Sequence, residues 1–364
     1  MSDRSKSEEH LRALELKLGH EVNDKFILYL DTKYWILLRD AYIGRSQDPI
    51  HAKLLRVIYN KTKSGHIICP GHLPICIEFA KQNDYQTLQK SFEILDLFSN
   101  GYCLKSPEDR LTLELFHFFR TKTLNEEDCY HPRILAWTKP FHFSGTQLPH
   151  LPLLDKDTNT SIQIQFLDYS WNLKFSDILK TIGCSEFHKN ISAINFCPSK
   201  SLNEGKLSHA DELRSLKQSI STETNGIIDI LAPTIERLSE WILPLNDTKY
   251  YFKDSQNTNT TTIMINMIHD HLKTQPIDTK LATIRIQSML HAAIRWDKQR
   301  KYRDNDMFDI EHASGALPYC DMFLTENSLY SLVTRKDIKL DSLYKCKVLA
   351  DPKLAYEALE ELSR

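Results

Sequence analysis

The chain has 364 residues, 41% apolar and 26% charged, enough for one large domain or two smaller ones around a sizeable core. Its 46 basic and 48 acidic side chains nearly cancel, so bulk charge does not mark a nucleic-acid binder, and any polyanion must be held by a local patch. The eight cysteines show no Cys-x-x-Cys pair and no zinc-site spacing, which reads as reduced thiols in a cytoplasmic protein. No apolar run approaches the roughly 20 residues that span a bilayer, so neither secretion nor a membrane partner is expected.

The opening MSDRSKSEEHLRALELKLGHE is predicted to be a short amphipathic helix. Phe26 to Leu30 is a continuous apolar run of strand length ending on Asp31, as expected of a strand covered on both faces. HAKLLRVIYNKTKSG has helical spacing and stops at Gly65, HIIC reads as a second short buried strand, and PICIEFAKQ continues as a helix carrying Glu78. Strand, helix, strand and helix in under sixty residues predict an α/β fold with a parallel sheet.

That grammar then lapses. Spacing is helical from about Tyr85 to Thr123 and lacks clear periodicity from Asn125 to Leu154. SIQIQFLDY is predicted to be a strand, the stretches around Ser199 to Lys206 and Lys253 to Thr261 to be polar connectors, and Ile227 to Leu243 a helix. From Asp278 a long helical pattern runs through TKLATIRIQSMLHAAIRWDKQRKYR. NDMFDIEHASGALPY follows as a helix with small residues inside, MFLT as a strand, SLYSLVTR as a short helix, KCKVLAD as a last strand and PKLAYEALEEL as a last helix. The expectation is one α/β domain, residues 1–84 and 278–364, split by a mostly helical insertion at 85–277.

In an open parallel sheet functional residues gather at the carboxyl ends of strands and the helix starts beside them. Asp31 ends the first strand, Glu326 follows MFLT, and Asp309 lies near the start of the helix leading into MFLT. Glu78 is one or two turns into its helix, and Asp306 precedes Asp309 by one turn. Carboxylates gathered without basic partners resist ionising together unless a cation neutralises them, and all-oxygen ligation suits Mg²⁺ or Mn²⁺. Such an ion activates water and stabilises charge on a phosphodiester in hydrolysis. Each acid also has an ordinary role open to it: Asp31 as a helix cap, Glu78 on a solvated face, Asp306 and Asp309 as partners of the helix dipole, and Asp321 as a strand-start residue.

The stretch RWDKQRKYR gathers Arg295, Lys298, Arg300, Lys301 and Arg303 beside Trp296 and Tyr302. It is the best local contact for a nucleic acid, since cations neutralise phosphates and aromatic faces stack on unpaired bases. A solvated helix end is the competing account. His312, one turn after Asp309, is either a proton donor or a packed histidine, and Thr32 and Thr325 either position water or finish strand ends.

These residues resemble a PIN domain. LYLDTKYW is similar to that family's opening strand with its first Asp and following Thr, ICPGHLPICIEF to the strand and helix that bring in a Glu, and DIEHASGALPYCDMFLTEN to the third segment. KVLADPKLAYEAL resembles the last strand and helix, and together these cover about a third of the chain. The resemblance implies a central parallel sheet flanked by helices, metal ligands at Asp31, Glu78 and Asp309, a fourth acid at the end of MFLT, and Mg²⁺- or Mn²⁺-dependent cleavage of RNA. Here the sequence departs from the family, which has Asp after that strand's Thr where this chain has Glu326 and Asn327. The alternatives are a structure-specific DNA nuclease and a non-catalytic nucleic-acid-binding or scaffold protein. The insertion matches no recognised family; it is where substrate choice, homo-oligomerisation or a regulatory protein partner would be encoded. A toxin-like or phage-defence effector would suit such a protein.

Overall fold

The computed structural model describes residues 5–82, 84–122, 129–183, 186–187, 189, 199–208, 215–242, 260–275 and 277–362. It is a mixed α/β structure, mostly helical, with six strands among the described residues: β1 Phe26–Leu30, β2 Ile67–Ile68, β3 Cys103–Leu104, β4 Trp137–Thr138, β5 Met322–Leu324 and β6 Lys347–Leu349. Among the described residues no helix is long and apolar enough to cross a membrane. The chain divides into two compact units, one of residues 2–106, 133–196 and 315–364, the other mainly of 107–132 and 197–314. This division differs from the expected 1–84, 85–277 and 278–364, because 85–106 and the described residues from 133 to 189 stand with the sheet while 278–314 stand with the inserted helices.

In the first unit β2, β1, β5 and β6 form a parallel sheet in that order. Ile27 to Leu30 are fully buried, which accounts for the unbroken apolar run. At the amino-terminal edge Asp321 pins β1 to β5: Ile27 N–H donates to its Oδ2 at 2.8 Å, its own N–H donates to Ile27 O at 2.9 Å, and Arg133 meets its Oδ1 at 2.7 Å. Asp321 is thus the strand-start residue the sequence suggests. The Pro49–Lys63 helix ends before Gly65, which takes a φ of 77°, and packs against both the Thr32–Tyr42 and Pro352–Glu361 helices. β3 and β4 form a separate antiparallel pair.

The SIQIQFLDY segment is a helix, Lys156–Ser170, and not a strand. Asp155 caps it through Thr158 N–H at 2.9 Å, and Ser7 and His10 of the Lys6–Asn23 helix bond Gln163 and Asp168 along its length. The alternation of Ile and Gln misleads, since the buried positions Asn159, Leu167 and Ser170 follow helical spacing.

The second unit packs the helices Pro107–Arg120, Leu216–Ile242, Thr260–Thr274 and Ala282–Trp296 around Leu115, Phe118, Ile228, Ile235, Ile268 and Ile284. Glu114 caps Ala282–Trp296 from a neighbouring helix, its carboxylate accepting Thr283 N–H at 2.8 Å and Thr283 Oγ1 at 2.9 Å. The connector expected around Ser199 is a helix, Ser199–Ser208. The other expected connector lies largely outside the described residues. The long helix from Asp278 is shorter than its pattern, for it stops at Trp296 and residues 297–305 are irregular.

Two glycines test this packing. A Cβ on Gly19 would stand 1.9 Å from Ile134 O, whereas one on Gly226, exposed in the Leu216–Ile242 helix, would meet nothing within 4 Å. Gly19→Ala is expected to lower the thermal midpoint, destabilising by about 1–3 kcal/mol. Gly226→Ala should raise stability by roughly 0.5–1 kcal/mol, since only the helix-propensity gain remains.

Candidate active site

Because the four strands are parallel, all their carboxyl ends lie on one edge. The chain leaves β1 for β2 on one side, and β5 and β6 lie on the other, so the edge between β1 and β5 is a topological switch point, where ligands bind in open sheets. The last register row is Leu30, Leu324 and Leu349. One residue further, Asp31 N–H donates to Leu324 O at 3.0 Å and Thr325 N–H to Leu349 O at 2.9 Å, which sets Asp31 and Thr325 side by side.

Asp31 is buried and is also the N-cap of the Thr32–Tyr42 helix, its carboxylate accepting Tyr34 N–H at 3.2 Å. The ordinary role and the edge position coincide. Thr32, the next residue, donates its hydroxyl to Glu78 Oε2. Glu78 is half-buried on the Leu73–Ala80 helix, where Pro74 to Ile77, Phe79 and Ala80 are all buried. Asp31 and Glu78 are therefore joined at this edge through Thr32. Glu326 occupies the N-cap position of the Asn327–Val333 helix without capping it, and accepts Ser328 Oγ at 2.6 Å instead.

Two hydroxyls stand out beside these acids. Thr325 Oγ1 and Tyr34 OH are both buried, and neither has a hydrogen-bond partner among the described residues. A buried polar group without a partner costs free energy, so each marks a position a further oxygen-seeking partner would relieve. Asp351, which the sequence reading passes over, follows β6 by two residues and caps the Pro352–Glu361 helix, its Oδ1 accepting Lys353 N–H at 2.8 Å and Leu354 N–H at 3.0 Å. The signal for it was the repeat of a strand end, an Asp and a helix start already seen at Asp31.

Among the described residues no three His, Cys, Asp or Glu side chains stand close enough to hold a metal ion in this arrangement. The oxygen donors on the edge are turned to hydrogen-bond partners: Asp31 to Tyr34 N–H, Glu78 to Thr32 and Glu326 to Ser328. Their chemistry, carboxylates and hydroxyls without sulfur or imidazole, fits a hard divalent cation.

Asp306, Asp309, His312 and the basic stretch belong to the helical unit. Asp309 is half-buried in the first turn of the Asp306–Ala316 helix. Asp306 is 2% exposed, with Oδ1 on Arg300 at 2.8 Å and Oδ2 accepting Arg303 N–H at 2.8 Å, so both its oxygens serve the loop that precedes the helix. His312 is buried. Of the five basic residues, Arg295 pairs with Glu223 at 3.0 Å and Arg300 with Asp306, while Lys298, Lys301 and Arg303 are exposed. Trp296 is exposed, but Tyr302 is buried with its hydroxyl 3.1 Å from His291 Nδ1, so it offers no face for stacking. Burial holds that imidazole down to about 4, with Arg295 acting in the same sense, so it stays neutral.

The Ser199–Ser208 helix clamps this basic loop, a relation invisible in the sequence. Lys206 Nζ donates to the carbonyls of Ile294, Asp297 and Arg300, and Asn203 exchanges two hydrogen bonds with the Tyr302 backbone at 2.8 and 2.9 Å. A lysine at the last carbonyls of a helix caps it and meets the negative end of its dipole.

The chain matches no protein-family model, no curated protein and no solved structure.

Removing the clamp should free the loop. Lys206→Met is expected to leave the protein folded but to speed limited trypsin cleavage after Lys298, Lys301 and Arg303 several-fold, read by mass spectrometry of the fragments. An unchanged cleavage pattern would mean that the loop holds its shape without Lys206.

Proposed function

We propose that the chain is a PIN-like, Mg²⁺- or Mn²⁺-dependent nuclease that hydrolyses RNA phosphodiesters, with Asp31 and Glu78 as its principal acids. The observation that carries this reading is the pair of Asp31 and Glu78 joined through Thr32 at the carboxyl edge of a parallel sheet, next to the unpartnered hydroxyl of Thr325. Glu326, one residue on, is the fourth acid. Asp309 enters through the resemblance of its segment alone. Asp306, with both oxygens engaged by Arg300 and Arg303, is better read as the support of the basic loop than as a ligand.

A bound divalent ion at such a site lowers the pKa of water and offsets charge on a phosphodiester. The residues themselves do the rest. Asp31 and Glu78 hold negative charge at the edge, and Thr32 fixes the orientation of Glu78 by its hydrogen bond. The oxygen of water forms the new P–O bond, the bond to the leaving oxygen breaks, and that oxygen takes up a proton. Lys298, Lys301 and Arg303, exposed on a clamped loop, suit contacts to phosphates of a single strand. A reducing, cytoplasmic setting suits the free cysteines at 69, 76, 103, 129, 320 and 346.

A second reading, a non-catalytic nucleic-acid-binding protein on the same fold, is favoured by one observation: the edge acids are satisfied by their own hydrogen bonds, and no three candidate ligands converge among the described residues. Cleavage of matched single-stranded RNA and DNA oligonucleotides with Mn²⁺ separates the two. Asp31→Ala and Glu78→Ala are each expected to slow RNA cleavage by on the order of 10²-fold or more, and Thr32→Val by about 10-fold. Unchanged cleavage in a folded Asp31→Ala variant would sink the nuclease mechanism, preference for DNA would move the substrate, and binding without cleavage by the native protein would favour the second reading.

A further inference from the structure

The Leu73–Ala80 helix, which carries Glu78, is tied at both ends to β1 and to the helix that follows β1. His72 stands at its N-cap position, yet the side chain makes no capping bond. Nδ1 lies instead 2.7 Å from the hydroxyl of Tyr29 on β1, and both residues are fully buried. Histidine is not among the residues preferred as helix caps, so the choice of residue here serves the contact with Tyr29. Gly315 makes room for the ring: a Cβ there would stand 2.7 Å from His72 Cε1 and 3.1 Å from Nδ1. Tyr29 in turn is held edge-on against Phe323 of β5, with ring centroids 5.3 Å apart.

At the other end Gln82 follows the helix by two residues, and its Oε1 accepts Arg39 Nη1 at 2.9 Å. Arg39 is buried on the Thr32–Tyr42 helix, the one that Asp31 caps. The same Nη1 reaches Ser91 Oγ at 3.1 Å, while Nε and Nη2 meet Asp40 Oδ1 at 3.0 and 2.9 Å, so the guanidinium is fixed on several sides. Between these two ties lies the bond from Thr32 to Glu78. A helix held at both ends cannot slide or roll without breaking a buried hydrogen bond. That matters for an acid at a reacting centre, where a misplacement of about 1 Å is costly.

We propose that His72 and Arg39 are positioning residues, which through the two ends of the Leu73–Ala80 helix set the Glu78 carboxylate against Thr32. This rests on the nuclease reading above and adds to it the contacts that orient one of its acids. Both residues act through Glu78.

Positioning and general stability are separable by coupling to Thr32. Tyr29→Phe removes one hydroxyl and keeps the ring, and Arg39→Met removes the donors and keeps most of the stem. The measurement is single-turnover cleavage of single-stranded RNA by the full chain with Mn²⁺, below each variant's thermal midpoint, with and without Thr32→Val. Each variant is expected to slow the maximal rate by about 10-fold, with the RNA concentration for half-maximal rate unchanged. Added to Thr32→Val, where Glu78 has already lost its partner, the same changes should cost less than about 2-fold. His72→Asn, whose amide stands where Nδ1 does, should recover most of the rate lost in His72→Ala. Should Arg39→Met fail to fold, Tyr29→Phe carries the test by itself. Equal losses with and without Thr32→Val would show a general effect on the fold and overturn the positioning role. Native rates in Tyr29→Phe and Arg39→Met, while Glu78→Ala is inactive, would overturn it too and leave the nuclease reading standing. If the native protein does not cleave, or Asp31→Ala cleaves as well as native, both proposals fall.

Discussion

Everything at the carboxyl edge depends on the parallel pairing of β1 with β5, strands almost three hundred residues apart in the chain. The pair is fastened at its other end by Asp321, whose carboxylate accepts Ile27 N–H, whose own N–H donates to Ile27 O, and which takes a third contact from Arg133. Closing so long a loop costs chain entropy, though the cost rises only slowly with length, and burial of Ile27 to Leu30 against Met322 to Leu324 offsets it. Once Ile27 and Asp321 are in register, the row containing Asp31 and Thr325 follows without further choice. A one-residue slip would reverse the faces of every side chain on the strand.

The acids of that edge are also the caps of the helices that leave it. Asp31 caps Thr32–Tyr42, Asp351 caps Pro352–Glu361, and Glu326 sits in the same position before Asn327–Val333. Helix amino termini carry partial positive charge and unpaired N–H groups, so carboxylates are stabilised there without a cation. The edge acids therefore gather at modest electrostatic cost.

The sheet was legible in the sequence because FILYL and MFLT are short apolar runs bounded by acids, and a strand buried on both faces has few other appearances. Asp31 was legible for the same reason. SIQIQFLDY reads as a strand because alternation of two residue types suits a strand locally, whereas the Lys156–Ser170 helix is supported by contacts from Ser7 and His10 far away in sequence. The basic stretch reads as helix because its composition continues the pattern before it. Its end at Trp296 is set by Lys206, some ninety residues earlier, reaching three carbonyls.

The central claim is that Asp31, at the end of β1, and Glu78 belong to one divalent-cation site beside Thr325. Its most direct measurement is a crystal of the full chain soaked in Mn²⁺, with anomalous diffraction locating the ion. The account predicts an anomalous peak at roughly 2.0–2.2 Å from a carboxylate oxygen of Asp31, within the same cluster of oxygens as Glu78 and Thr325. A well-ordered edge without a peak at millimolar Mn²⁺, or a peak only at acids elsewhere on the surface, would contradict it.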